Sequence, residues 1–201
     1  MKLYFAPAAC SMAAHIALNE AGLDYELERV DLKAHQTASG EDYYAINPKG
    51  SVPALAYNGG SVLTEAAVVL QYIADRKPEA WLAPAAGSIE RYRLMEWLNF
   101  VSSELHKGFG PFWNPKASAD AREQAKEKLA QRFAFVAKAL GDKAYLMGDV
   151  FTVADAYLYT VLAWTKIHGI DLSPWPPLQA YLARVRERPA VKRTLEEEGI
   201  A

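Results

Sequence analysis

The chain has 201 residues, 51% hydrophobic and 23% charged, with 22 Lys plus Arg against 24 Asp plus Glu. These globular proportions exclude a disordered chain, and the length suits one large domain or two small ones. The net charge of −2 excludes the basic footprint of a nucleic-acid binder, and no apolar run approaches the ~20 residues that would span a membrane.

The single cysteine, Cys10, excludes an internal disulfide, a CxxC dithiol mechanism and a multi-cysteine zinc site, so no metal is expected. A lone thiol fits a reducing, cytoplasmic setting. Pro7 and Ser11 interrupt the apolar start, so no signal-peptide core is read there.

The first eighty residues alternate strand and helix signals. Lys2 to Phe5 is a short β-prone run ended by Pro7, and Ser11 to Ala21 reads as a helix stopped by Gly22. Tyr25 to Leu32 alternates as a strand. Pro53 to Tyr57 and Ser61 to Leu63 flank Asn58-Gly59-Gly60, a hairpin signal. Thr64 to Asp75 reads as a helix with Thr64 as its N-cap. This β-α-β, β-β-α order predicts a mixed sheet covered by helices.

Lys77 to Gly87, with two prolines and a glycine, reads as a linker. Beyond it the strand signals stop. Helices are predicted at Ser88–Gly108, Ala119–Leu140, Thr152–His168, Trp175–Glu187 and Pro189–Glu198, with prolines where a helix begins. The fold class is therefore α/β plus all-α. The boundaries are a domain over 1–80, a linker over 81–87 and a helical domain over 88–201.

Cys10 follows a strand and a Pro-Ala-Ala turn at the start of a helix, where free amides and the positive helix end favour a thiolate. Lowering a thiol pKa by two units takes about 2.7 kcal/mol. A helix end supplies about 0.3–1 kcal/mol, so direct hydrogen bonds from Ser11 or backbone amides must add the rest. A small buried apolar cysteine fits the position equally well.

An extended Val52 before Pro53 offers its backbone to a peptide-like ligand, although proline at a strand start is ordinary. Glu65 and Ala66 fall in a first helical turn, where amides suit a carboxylate and Glu65 suits an ammonium; a solvated glutamate fits as well. On the helix from Ser88, Leu94, Trp97, Leu98, Val101 and Leu105 share one side. Asn99, Ser103 and His106 form a polar stripe on the other, fitting a wet cleft or plain solvent.

The remaining features read as structure. Thr152 to Asp155 is a capping box before a core helix, and His15 is a satisfied structural histidine. The basic series Arg184, Arg186, Arg188, Lys192 and Arg193 and the acidic run Glu196–Glu198 read as solvated faces.

Taken in order, the Cys10 turn, Asn47-Pro48-Lys49-Gly50-Ser51-Val52-Pro53-Ala54-Leu55, Leu63-Thr64-Glu65-Ala66 and Phe151 to Asp155 resemble a bacterial glutathione S-transferase of the beta class. Glu96 to Phe100 and Ser102 to Lys107 strengthen that resemblance, which covers essentially the whole chain.

The resemblance implies a thioredoxin-like N-terminal domain, a C-terminal helical domain, a homodimer and a cis Val52–Pro53 bond. It implies glutathione as co-substrate with no other cofactor, and a hydrophobic electrophile as the second substrate. The implied catalytic residues are Cys10 and His106. The implied glutathione-binding residues are Cys10, Ser11, His35, Val52, Glu65, Ala66, Asn99, Ser103, Glu104, His106 and Lys107, with Glu104 reaching the ligand of the other subunit.

Ala66 stands where many relatives have serine, and His35 where lysine is common. Phe109, Phe112, Trp113 and Trp164 either border the acceptor site or pack the core. Two other functions remain compatible with the residues. One is Cys10-dependent thiol transfer, dehalogenation or peroxide reduction, and the other is non-catalytic binding of glutathione or apolar ligands.

Overall fold

The computed structural model describes residues 1–57 and 59–200. The chain folds into two compact units. The first is Met1–Ala83 together with the chain from Arg188 onward, and the second is Pro84–Glu187. The expected helical domain over 88–201 thus gives up its last helix to the first unit.

In the first unit a five-stranded mixed sheet has the order β3-β2-β1-β4-β5. Strand β1 (Lys2–Phe5) runs parallel to β2 (Glu26–Asp31) and antiparallel to β4 (Ala54–Tyr57). Strand β5 (Ser61–Thr64) pairs with β4, and the two-residue β3 (Gln36–Thr37) extends the edge beyond β2. The hairpin between β4 and β5 forms as expected; Asn58 of its turn lies outside the described residues. Tyr4 pairs with Ala54, so the chain leaving β1 toward Cys10 runs beside the chain entering β4 through Val52.

Helix α1 (Ser11–Ala21) is buried from Ser11 through Leu18 and ends on Gly22 at φ 61, a left-handed cap that glycine adopts without a Cβ penalty. Strand β3 and helix α2 (Tyr43–Ile46), a single turn capped by the Asp42 carboxylate, had no sequence signal. Helix α3 (Ala66–Arg76) starts later than expected. Thr64 stays in β5, paired with Ala54, and Glu65 is the N-cap without a side-chain cap bond.

In the second unit α4 (Ile89–Phe100) is capped by Ser88, whose hydroxyl accepts from the Arg91 amide. The helix expected to run to Gly108 instead changes hand-over at Phe100. Val101–His106 is a π-helical segment, Lys107–Phe109 is a 3-10 turn, and α5 (Gly110–Trp113) follows. The Ser103 hydroxyl takes the Asn99 carbonyl at 2.9 Å, competing with the α-helical ladder, and the Lys107 amide reaches back five residues to Ser102.

Helices α6 (Ala119–Leu140), α7 (Val153–Ile167) and α8 (Pro176–Arg186) complete the unit. Helix α7 is buried almost all round, as its apolar sequence requires. Its capping box forms. The buried Asp155 carboxylate accepts from the amide and hydroxyl of Thr152, the Leu146 amide and the Tyr181 hydroxyl.

Helix α9 (Pro189–Glu197) returns to the first unit and packs on α1. Here the solvated reading of the tail is corrected. Arg188 grips Glu20 through two bonds of 2.5 and 2.9 Å. His15, fully buried, places Nδ1 at 3.0 Å from Glu198 and Nε2 at 2.7 Å from Glu197 and 3.1 Å from the Tyr25 hydroxyl. His15 is thus the satisfied structural histidine expected.

Glu197 is exposed, and although partial desolvation opposes it, hydrogen bonds from Arg193, Asn19, His15 and Tyr25 bring its carboxyl down to about 2. Glu198 is itself buried and accepts the Ala8 amide at 2.9 Å. The bonds of Glu197 and Glu198 to His15 and of Glu198 to Ala8 escaped the sequence because they join residues more than 180 positions apart.

Glu198→Ala removes the acceptor of the buried His15 ring and of the half-buried Ala8 amide, at about 1–3 kcal/mol each. A loss of about 2–4 kcal/mol in unfolding free energy is expected by urea denaturation. Stability equal to the unsubstituted protein would contradict the role given to this carboxylate.

Candidate active site

The first-unit site is built around the start of α1. The chain turns after β1 through Ala6 to Ala9, with the Ala9 amide on the Ala6 carbonyl at 3.1 Å and Ala8 at φ 59. A non-glycine residue holds that conformation at a cost of about 1–2 kcal/mol, offset here by the Glu198 acceptor. Cys10 follows as the N-cap of α1 and is half-buried.

Its thiol donates to the Val52 carbonyl at 2.9 Å, so the helix N-terminus and the segment before β4 meet at this bond. Ser11 does not serve Cys10. Its fully buried hydroxyl donates to the Ala6 carbonyl and accepts the Ala6 amide, both at 3.2 Å, pinning the turn.

Val52 is buried and joined to Pro53 by a cis bond, as the resemblance implied. The loop before it is fixed from beneath: the Tyr43 hydroxyl at 2.8 Å and the Asn47 amide group at 2.7 Å both donate to the Ser51 carbonyl. Burial pushes the Tyr43 hydroxyl up to about 12, so it remains a donor. Tyr43 had no sequence signal of its own, and Asn47 entered only as part of the motif through Leu55. The usable signal was that a buried tyrosine needs a polar partner.

Glu65 sits at φ 72, outside the regions that L-residues favour, and strain of this kind gathers at functional sites. Its carboxylate meets the Lys49 ammonium at 2.5 Å, and the same ammonium donates to Thr64 at 3.0 Å. Both partners are largely exposed, so the pair is worth about 0–1 kcal/mol and yields readily to a competing ammonium. Ala66 opens α3, where first-turn amides have no intrahelical acceptor.

His35 lies at φ 52 with its ring stacked on Tyr44, centroids 4.3 Å apart. Among the described residues its buried Nδ1 has no hydrogen-bond partner, a cost that a ligand would remove. Gly50, at φ 65, backs this stack. A Cβ there would stand 2.7 Å from the Tyr44 ring and 3.0 Å from the His35 ring.

The other candidates lie in the second unit. Asn99 and Ser103 are exposed and bonded to each other, backbone carbonyl to hydroxyl. Glu104 is half-buried and accepts from Arg132 at 2.7 Å; Lys107 is exposed. His106 departs from the expected stripe because the π segment turns it inward.

The His106 Nδ1 stands 2.7 Å from the Tyr157 hydroxyl, and its ring meets Trp164 edge to face at 4.9 Å. Burial, with the Lys107 charge adding to it, brings His106 down to about 4, so it is neutral at physiological pH. Tyr157 had no sequence signal beyond a hydroxyl inside an apolar helix.

Phe109 and Trp164 are core residues, whereas Phe112 and Trp113 keep accessible surface beside His168. Among the described residues no three His, Cys, Asp or Glu side chains gather as a metal site, and no helix is long and apolar enough to cross a membrane.

A cysteine at a helix N-terminus, touching a strand-entry carbonyl beside a cis proline, in a chain that continues into a helical unit, defines a two-domain thiol-handling protein of the thioredoxin-like type. Family models describing the N-terminal and C-terminal domains of glutathione S-transferase match residues 1–75 and 100–189. The glutathione S-transferase GstA of Escherichia coli O157:H7 is 42% identical over the full length of both chains.

Two solved structures each align over the full length of both chains. A sphingomonad glutathione S-transferase complexed with glutathione is 45% identical with a TM-score of 0.96, and the bacterial beta-class enzyme of Sphingomonas chungbukensis is 43% identical with a TM-score of 0.97. The chain belongs to the glutathione S-transferase family, with beta-class enzymes among its structural neighbours.

Two predictions follow from this geometry. Gly50→Ala must displace the His35–Tyr44 stack at a positive φ and is expected to lose about 1–2 kcal/mol of stability by denaturant titration. For His106, a proton NMR titration should give a midpoint near pH 4. The unfolded chain takes up this proton first, so His106 lowers stability as pH falls from about 6.5 to about 4 and contributes no slope above that window. His106→Gln should reduce that slope.

Proposed function

We propose that this glutathione S-transferase conjugates reduced glutathione to apolar electrophiles, working in the cytoplasm as a homodimer. Glutathione is the co-substrate, and the proposal needs no further cofactor. The tripeptide lies extended, its γ-glutamyl end on Glu65 and Ala66, its cysteinyl backbone on Val52 and its glycyl end at His35. A carbonyl oxygen has two lone pairs, so Val52 can accept the cysteinyl amide while keeping the Cys10 thiol. The incoming ammonium replaces Lys49 on Glu65.

The observation that carries this reading is the 2.9 Å bond from Cys10 to the Val52 carbonyl. It supports a single place where a peptide-like ligand and the first amides of α1 come together. Glutathione releases its thiol proton to solvent water, and the thiolate sulfur attacks the electrophilic carbon. The new S–C bond forms as the leaving group, such as halide, departs with its electron pair.

Cys10 and His106 are the catalytic residues in this scheme. Ser11 holds the turn. Asn99, Ser103 and Lys107 serve the tripeptide, and Glu104 serves the ligand of the other subunit. The accessible rings of Phe112 and Trp113 supply apolar surface for the electrophile.

Exposed apolar side chains within each unit support the dimer: Val68 on α3, and Tyr92 and Met95 on α4. The lone thiol supports a reducing compartment.

Purified protein should accelerate conjugation of an activated aryl halide with glutathione and elute as a dimer by light scattering. A rate equal to the uncatalysed background would refute the activity. Glu65→Ala removes a charged hydrogen bond worth about 1.5–3 kcal/mol, so the KM for glutathione should rise about tenfold to a hundredfold.

A further inference from the structure

We infer that Tyr157 fixes His106 as the tautomer protonated on Nε2, and that Tyr157 is thereby a positioning residue for conjugation. The second half rests on the reading of His106 given above. The geometry lies wholly within the second unit.

Tyr157 is buried, one turn into α7, and the capping box of Thr152 and Asp155 fixes the start of that helix. Its hydroxyl stands 2.7 Å from His106 Nδ1, a short, well-formed bond. The His106 ring is held edge to face by Trp164 at 4.9 Å and by Tyr157 itself at 5.9 Å, which restricts its rotation. Among the described residues no hydrogen-bond partner stands against Nε2.

The direction of the Nδ1 bond decides the tautomer. A phenol hydroxyl is a stronger acid than a neutral imidazole N–H, and an imidazole nitrogen is a stronger base than a phenol oxygen. The hydroxyl therefore donates and Nδ1 accepts. Since burial keeps the ring neutral, its one proton resides on Nε2.

The chemical consequence is sharp. Nε2–H is a donor, suited to a thiolate or carboxylate. The opposite tautomer would present a lone pair there and repel the same anion. The π segment sets this arrangement, since it turns His106 from the exposed stripe of Asn99 and Ser103 toward α7.

The test is nitrogen NMR of the full chain labelled in histidine, read first on the unsubstituted protein. The inference requires the His106 Nδ1 signal in the range of an unprotonated ring nitrogen and Nε2 in that of a protonated one. The reverse assignment, or two signals averaged between the ranges, overturns it.

In Tyr157→Phe, which keeps the ring and removes the hydroxyl, the two signals should move toward each other. The kcat for aryl-halide conjugation should fall about fivefold to tenfold while the KM for glutathione holds within about twofold. An unchanged nitrogen pattern in that variant overturns the inference. A His106→Ala enzyme with undiminished kcat overturns the part given to Tyr157 in the reaction, without touching the transferase reading. A chain with no conjugating activity fails the transferase reading instead, while the nitrogen signals still decide the tautomer.

Discussion

One carboxylate holds the first unit together at the point where its chemistry is presented. Glu198 accepts from the fully buried His15 in the middle of α1 and from the Ala8 amide in the turn ahead of α1. It therefore ties helix and turn to a single rigid point on the closing helix of the unit. Everything downstream in the site inherits that alignment. The turn delivers Cys10 as the N-cap, Cys10 meets the Val52 carbonyl, and the loop behind Val52 is locked by Tyr43 and Asn47 through Ser51. Burying the carboxylate in apolar surroundings would be prohibitive alone; two well-placed donors make it a strong constraint.

The second unit solves a different problem. A regular α-helix from Ser88 to Gly108 would keep His106 on the exposed stripe. One wide π turn at Val101–His106 changes the register, so His106 turns inward to Tyr157 and Trp164 while Leu105 stays in the core. The same change brings Gly108 so close to α6 that a Cβ would stand 2.7 Å from Leu129. The irregular backbone thus carries the histidine proposed as catalytic, in keeping with the frequent place of π segments at functional sites.

Which parts of this were legible beforehand follows from the range of the forces involved. Periodicity and capping are local, so β1, α1 and the α6 span from Ala119 to Leu140 could be read from the chain, as could the Thr152–Asp155 box. The two-residue β3 and single-turn α2 are too short to show a period. The start of α3 moved because Thr64 gained a strand partner, Ala54, that no local rule supplies.

For the site, Cys10, Val52 and Glu65 stood out through helix-start and proline chemistry. Tyr43, Tyr157 and Lys49 did not, because their importance lies in what they touch. Glu197 and Glu198 were read as solvated for the same reason: their partners are at the far end of the chain.

The discontinuity of the first unit has a consequence for biosynthesis. A ribosome completes every residue of Pro84–Glu187 before it makes the segment that carries Glu197 and Glu198. During that interval the nascent sheet and α1 exist with His15 lacking its carboxylates and the Cys10 turn lacking its anchor. The helical unit is therefore the part able to mature first on the translating chain, and the thiol-bearing unit becomes complete only when the last helix docks.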